Sequence, residues 1–125
     1  MKRVFIEETI KTPSMLLDPD EGIIELRGRS IPDNAIELYE PVVNEWLGEY
    51  IKNPQLKTTA VIQLEYYNTS TSMWIFQLLK KLQTLHKRHY EVVINWYYAD
   101  EDSLESAEDY QALIPMNYNM ISYTA

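Results

Sequence analysis

At 125 residues with 46% hydrophobic side chains, the chain has apolar material for one core and fits a single domain, residues 1–125. Nineteen acidic against eleven basic residues give a net charge of −8, which opposes attraction to nucleic-acid phosphates. No cysteine is present, so disulfide scaffolds, thiolate metal sites and cysteine nucleophiles are excluded, leaving oxygen and imidazole chemistry.

The opening Met1-Lys2-Arg3-Val4-Phe5-Ile6-Glu7-Glu8 turns acidic before an apolar run of signal-peptide length forms. No later stretch approaches membrane-spanning length, so a cytoplasmic chain with no membrane partner is expected. Val4 to Ile10 is a short candidate strand. Ser14 to Leu17 and Ile23 to Arg27 flank Asp18-Pro19-Asp20-Glu21-Gly22, whose Pro, Gly and Asp predict a hairpin turn. Its acids lack the ligand spacing and distal Glu of a calcium loop. Gly28-Arg29-Ser30-Ile31-Pro32-Asp33-Asn34 follows as a polar connection, either an ordinary turn and cap or a contact surface; Arg29 could pair there with carboxylate or phosphate.

From Asn34 to Ile51, Tyr39, Val42, Val43, Trp46, Leu47, Tyr50 and Ile51 fall at the spacing of a helix with one buried face. Asp33 or Asn34 is its expected cap, Pro41 predicts a kink near Glu40, and Asn53-Pro54 ends it. Thr58 to Tyr67 is β-branched and aromatic without Gly or Pro, as a central strand should be. Met73 to His86 is amphipathic, with Ile75, Leu78, Leu79, Leu82, Leu85 and His86 on one face. Tyr90 to Tyr98 is again strand-like, completing a right-handed parallel crossover and making the sheet mixed. Asp100-Glu101-Asp102-Ser103 starts a last helix, with Asp102 as expected cap and Glu105 as capping-box partner. After Pro115, Met116 to Tyr123 is an edge strand or a docked tail.

Between the central strand and its helix lies Asn68-Thr69-Ser70-Thr71-Ser72, four consecutive hydroxyls where a helix's first N–H groups lack partners. One hydroxyl can cap while the rest meet solvent, or the site can accept a phosphoryl group beside an anion-tolerant helix start. Asn68 would orient this loop, with Ser70 and Thr71 supplying the cap and polar contacts to a partner. His86 and His89 could ligate a metal; their company with Lys87 and Arg88 in a last helical turn suits the helix dipole instead. No Gly-x-Ser-x-Gly elbow, Walker loop or dinucleotide glycine pattern occurs, and three glycines leave little to cradle phosphates.

Taken in order, Thr12-Pro13, the hairpin, Gly28 to Asn34, Glu37-Leu38-Tyr39, Tyr67-Asn68-Thr69-Ser70 and Trp96-Tyr97-Tyr98 resemble the SiaC family of regulatory phosphoproteins over about Thr9 to Tyr98. That family is similar to STAS-type anti-sigma factor antagonists, whose α/β domain packs helices on a mixed sheet and carries a phosphorylatable hydroxyl where a helix follows a central strand. The resemblance implies a non-enzymatic, cofactor-free partner switch. A protein kinase phosphorylates the domain, a PPM-type phosphatase restores it, and the unphosphorylated form regulates a target such as a diguanylate cyclase. The family's acceptor in its Asn-Thr-Ser motif falls on Thr69, and Asn68, Ser70, Thr71, Arg29 and Ser30 are the expected partner-binding residues. Two departures stand out: Thr71 replaces a second serine of many relatives, and Asp33 replaces the Glu of a more usual Pro-Glu-Asn. Competing expectations are an anti-sigma factor antagonist-type adaptor, a constitutive adaptor, and a small metal-dependent enzyme using His86, His89 and the acids of the Asp100 loop.

Overall fold

The computed structural model describes residues 1–125. Six strands form one mixed sheet in chain order: β1 (Val4–Ile6), β2 (Ser14–Asp18), β3 (Ile23–Ser30), β4 (Lys57–Tyr67), β5 (Glu91–Tyr98) and β6 (Asn117–Ser122). The first three pair antiparallel; β3 to β6 run parallel. Helices fill the parallel crossovers. α1 (Ala35–Glu40), a π-helical stretch (Pro41–Trp46) and α2 (Leu47–Tyr50) join β3 to β4, α3 (Thr69–Lys87) joins β4 to β5, and α4 (Glu101–Leu113) joins β5 to β6. Because every crossover steps to the next strand in the same direction, the right-handed rule puts all the helices on one face. The core lies between that face and the helices, with Ile24, Leu26, Ala60, Ile62, Leu64, Val92, Ile94 and Trp96 from the sheet meeting Tyr39, Leu47, Ile75, Leu79 and Leu82.

The first strand is shorter than the expected Val4 to Ile10. After Ile6 the chain leaves the sheet and folds into a turn, Thr9 N–H donating to the Thr12 carbonyl at 2.9 Å. The kink expected at Pro41 takes the form of a π-helical stretch: proline has no N–H to donate and its ring crowds the preceding turn, so the helix widens and continues instead of breaking. The last segment resolves as a strand parallel to β5. Asp100, and not Asp102, caps α4. Asp100 holds the extended backbone a cap requires and accepts from Ser103 N–H at 2.8 Å, so Ser103 takes the box position expected of Glu105, while Asp102 falls inside the first turn.

Gly22 closes the hairpin at φ +66°, and a Cβ there would lie 2.5 Å from the Lys57 carbonyl oxygen. The Gly22 carbonyl also accepts from Thr59 N–H at 2.8 Å, fastening the hairpin to β4. Gly22→Ala is therefore predicted to destabilise the fold by about 1–3 kcal/mol, through left-handed strain and a backbone clash together. Urea unfolding checks this: an unchanged midpoint would contradict it.

Candidate functional site

The carboxyl ends of β3 and β4, the side of a parallel sheet where sites are commonly built, meet the start of α3. Asn68 leaves β4 with extended angles (φ −90°, ψ 175°), and its side-chain oxygen accepts from Thr71 N–H at 3.0 Å. The cap expected of Ser70 or Thr71 thus belongs to Asn68, whose short carboxamide reaches back to the third helical N–H as a hydroxyl within the helix cannot. Ser70 Oγ donates to the same Asn68 oxygen at 3.0 Å, and Ser72 Oγ donates to the Thr69 carbonyl at 2.6 Å.

Beneath this cap runs a buried hydroxyl chain. Thr71 Oγ1 donates to the Ser30 carbonyl at 3.1 Å and lies 2.8 Å from Ser30 Oγ, which lies 2.6 Å from Tyr39 Oη. Each hydroxyl has one proton. With that of Thr71 committed to the carbonyl, the consistent assignment has Ser30 donating to Thr71 and Tyr39 donating to Ser30. The Ser30 carbonyl also accepts from Asn68 N–H at 3.0 Å. No buried side-chain polar atom is left without a partner. The chain ties β3, α1 and the first turn of α3 into one unit, and the Tyr39 ring carries it outward by stacking on Trp74 at 6.3 Å between centroids.

These contacts sort the expected residues. Ser30 and Thr71 are both 0% exposed, so neither side chain reaches a docking surface. Their assignment as partner contacts is corrected to an internal role: both hydroxyls are spent on the chain. Arg29 is exposed, beyond an irregularity in β3 at Gly28/Arg29, in register with Tyr66. Adjacent strand residues face opposite ways, so it stands on the other side of β3 from Ser30. Ser70 is exposed and Asn68 half-buried. Thr69 occupies the first helical position, exposed, and its hydroxyl has no hydrogen-bond partner in the protein. Of the four consecutive hydroxyls it alone is both accessible and unengaged.

Two features escape a reading of the sequence. Tyr39 is recognisable as a core residue, yet nothing local tells that its hydroxyl reaches Ser30; the period-two pattern Ile24, Leu26, Gly28, Ser30 does carry the strand, and its inward face, through Ser30. A hollow of about 500 Å³ between the α1 start and α3 is lined by Asp33, Asn34, Ile36, Ser70, Met73 and Trp74 among others. It joins segments far apart in sequence. His86 and His89 serve the end of α3. His89, at φ +70°, donates to the His86 carbonyl and Tyr90 to that of Leu85, both at 3.1 Å, a Schellman closure. No group of three or more His, Asp or Glu side chains is placed to hold a metal ion.

The family pattern of SiaC regulatory phosphoproteins matches residues 6–123. The chain belongs to the SiaC family. An uncharacterized protein of Pseudomonas aeruginosa strain UCBPP-PA14 is 27% identical to it over 113 residues, 89% of either chain. The crystal structure of apo-SiaC from Pseudomonas aeruginosa superposes with a TM-score of 0.89 at 25% identity, over 97% of this chain and 99% of that one. The same fold recurs, at TM-score 0.90 and 24% identity over 96% of this chain and 99% of that one, in the crystal structure of the diguanylate cyclase SiaD in complex with its activator SiaC from the same organism. The SiaC family is regulatory, and the six-stranded α/β fold found here is that of its solved members. No helix is long and apolar enough to cross a membrane.

The hydroxyl chain makes two predictions. Thr71→Val keeps the shape but removes the donor to the Ser30 carbonyl, and should cost about 1–3 kcal/mol in urea unfolding, with Thr71→Ser largely restoring stability; a Val variant as stable as the parent would contradict the chain. Burial pushes the Tyr39 phenol up to about 12, against a smaller downward influence of its Ser30 and Thr71 hydrogen bonds. The fold therefore favours the neutral phenol. Its contribution is complete below pH 10, the ordinary tyrosine value, and is lost as pH climbs towards 12. Unfolding free energy followed across that window should fall more steeply for the parent than for Tyr39→Phe.

Proposed function

We propose that this chain is a partner-switching phosphoprotein whose acceptor is Thr69. A protein kinase transfers the γ-phosphoryl group of ATP to the Thr69 oxygen, a PPM-type phosphatase removes it by hydrolysis, and the unmodified form binds and activates a diguanylate cyclase in the cytoplasm. The observation that carries this reading is the state of the Thr69 hydroxyl. It is exposed, free of hydrogen bonds and held at the first position of α3 by the Asn68 cap, so a kinase can take it without opening the fold. Family membership and the activator role of SiaC towards SiaD in the solved complex support the target class.

The physical consequence of modification is local. Phosphorylation adds about 1.5 to 2 negative charges at neutral pH. The helix dipole and the free N–H groups of the first turn favour an anion at this end by about 0.3–1 kcal/mol when exposed, so the isolated protein tolerates the group. A partner packed over Thr69 would have to strip the dianion of water, and binding is lost instead.

The test uses purified protein carrying phosphothreonine at residue 69 and its unmodified counterpart, titrated against the diguanylate cyclase of the same organism. Unmodified protein should bind and raise cyclase activity, and the phosphorylated form should bind at least roughly tenfold more weakly with an unchanged circular dichroism spectrum. Equal binding and activation by both forms would overturn the switch.

A further inference from the structure

The sheet ends differently on its two sides. β1 is three residues long, with Lys2 and Arg3 before it and Glu7 and Glu8 after it, and a short strand hemmed by charge discourages a further strand from pairing. β6 has six residues, keeps an unbroken register with β5, and holds neither a charged residue nor a proline from Asn117 to Ser122. Tyr123 N–H donates to the Tyr98 carbonyl at 3.0 Å, so by alternation the odd-numbered residues of β6 bond to β5. The N–H and C=O groups of Tyr118, Met120 and Ser122 then point off the edge of the sheet, where no strand follows.

α4 packs on β5 and β6 and overlooks this edge. Its Ala107 is buried against the sheet, and Ser106, Asp109 and Tyr110 face Tyr67 and Ser72 across a cleft on the α3 side. With 3.6 residues to a turn, the flank away from that cleft carries Glu101 and Glu108, with Glu105 beside them on the outer side. All three are exposed and none is in an ion pair. No Lys or Arg follows Arg88, whereas seven acidic residues do, so most of the net charge of −8 is gathered at this end of the chain.

We propose that the β6 edge docks an extended protein segment rich in Lys or Arg, which joins the sheet as an added strand. The backbone of the segment bonds the outward groups of Tyr118, Met120 and Ser122. Its side chains alternate between the two faces, and the set on the helix side reaches Glu101, Glu105 and Glu108. Backbone pairing supplies affinity for any extended chain; the glutamates select a basic one and steer it in. A second copy of this chain is the poorer occupant, because two β6 edges related by a two-fold axis would bring α4 beside α4, acid against acid. β6 contributes nothing to the Asn68 cap or to the hydroxyl chain, so this surface stands or falls separately from the switch at Thr69.

The experiment titrates the full chain with a short synthetic peptide of alternating Lys and Val and with its Glu-Val counterpart, reading affinity by fluorescence anisotropy and amide exchange by NMR. The Lys-Val peptide should slow exchange of the Tyr118, Met120 and Ser122 N–H groups roughly tenfold or more and leave that of α3 unchanged. The Glu-Val peptide should bind at least roughly tenfold more weakly. The double substitution Glu105→Lys, Glu108→Lys should weaken Lys-Val binding about tenfold; Glu40→Lys with Glu45→Lys, the same change of charge on the β3–β4 connection, should weaken it far less. Met120→Pro removes one outward donor and no bond to β5, and should abolish pairing. Thermal unfolding verifies that each variant is folded, and the exchange measurement on the parent decides the edge assignment without any variant. Edge amides that exchange freely at saturating peptide, a parent that does not bind the Lys-Val peptide, or equal affinity for the two peptides would each overturn the proposal. A parent that sediments as a dimer while Met120→Pro sediments as a monomer gives the edge to a second copy and overturns it too.

Discussion

The run of hydrogen bonds from Tyr39 through Ser30 to Thr71 and back to the Ser30 carbonyl is the constraint on which the functional end of this molecule depends. It is buried, complete and shared by three elements: the end of β3, the last turn of α1 and the first turn of α3. Buried polar groups are costly when half-satisfied and specific when fully satisfied. Here every hydroxyl is used, so the register between α1 and α3 is set by bonding as well as by packing. With Thr71 anchored below and Asn68 capping above, Thr69 has one way to face: outward, at the head of the helix.

That arrangement separates stability from signalling. The group that holds the fold, Thr71, and the group proposed to change state, Thr69, are two residues apart yet lie on opposite sides of the solvent boundary. A phosphate on the outer one meets water and the N-terminal end of the α3 dipole, and does not reach the hydroxyl chain. Its effect is felt only when another molecule must cover it. A switch built this way needs no conformational change in the protein that carries it, only a surface on which a dianion is compatible with solvent and incompatible with an apolar lid.

Much of the fold is legible in the sequence because its elements carry strong periodicity. The apolar runs of β4 and β5, the stripe of α3 and the Pro-Asp-Glu-Gly turn all appear where composition predicts, to within a residue or two. What is less legible has identifiable causes. Ser30 sits in a polar stretch that resembles a loop, and only the alternation through Ile24 and Leu26 assigns it to the inner face of β3. Asp100 and Asp102 are both competent caps, and the choice between them belongs to the backbone leaving β5. Pro41 announces a disturbance, but whether the helix kinks, restarts or widens depends on how its far end packs. The role of Thr71 is hidden most completely. Within a row of four hydroxyls nothing in the sequence says which points inward, since that is decided by Ser30 on a strand 41 residues earlier.

In the proposed switch, a single accessible, unengaged hydroxyl of that row changes charge in the living cell. Peptide mapping by mass spectrometry of the protein isolated from its own host, under two growth conditions, addresses this directly. One phosphoryl group is expected, on Thr69, with an occupancy that differs between the conditions and none on the buried Thr71. Phosphate found on Ser70, Ser72 or Thr71 in place of Thr69 would contradict it.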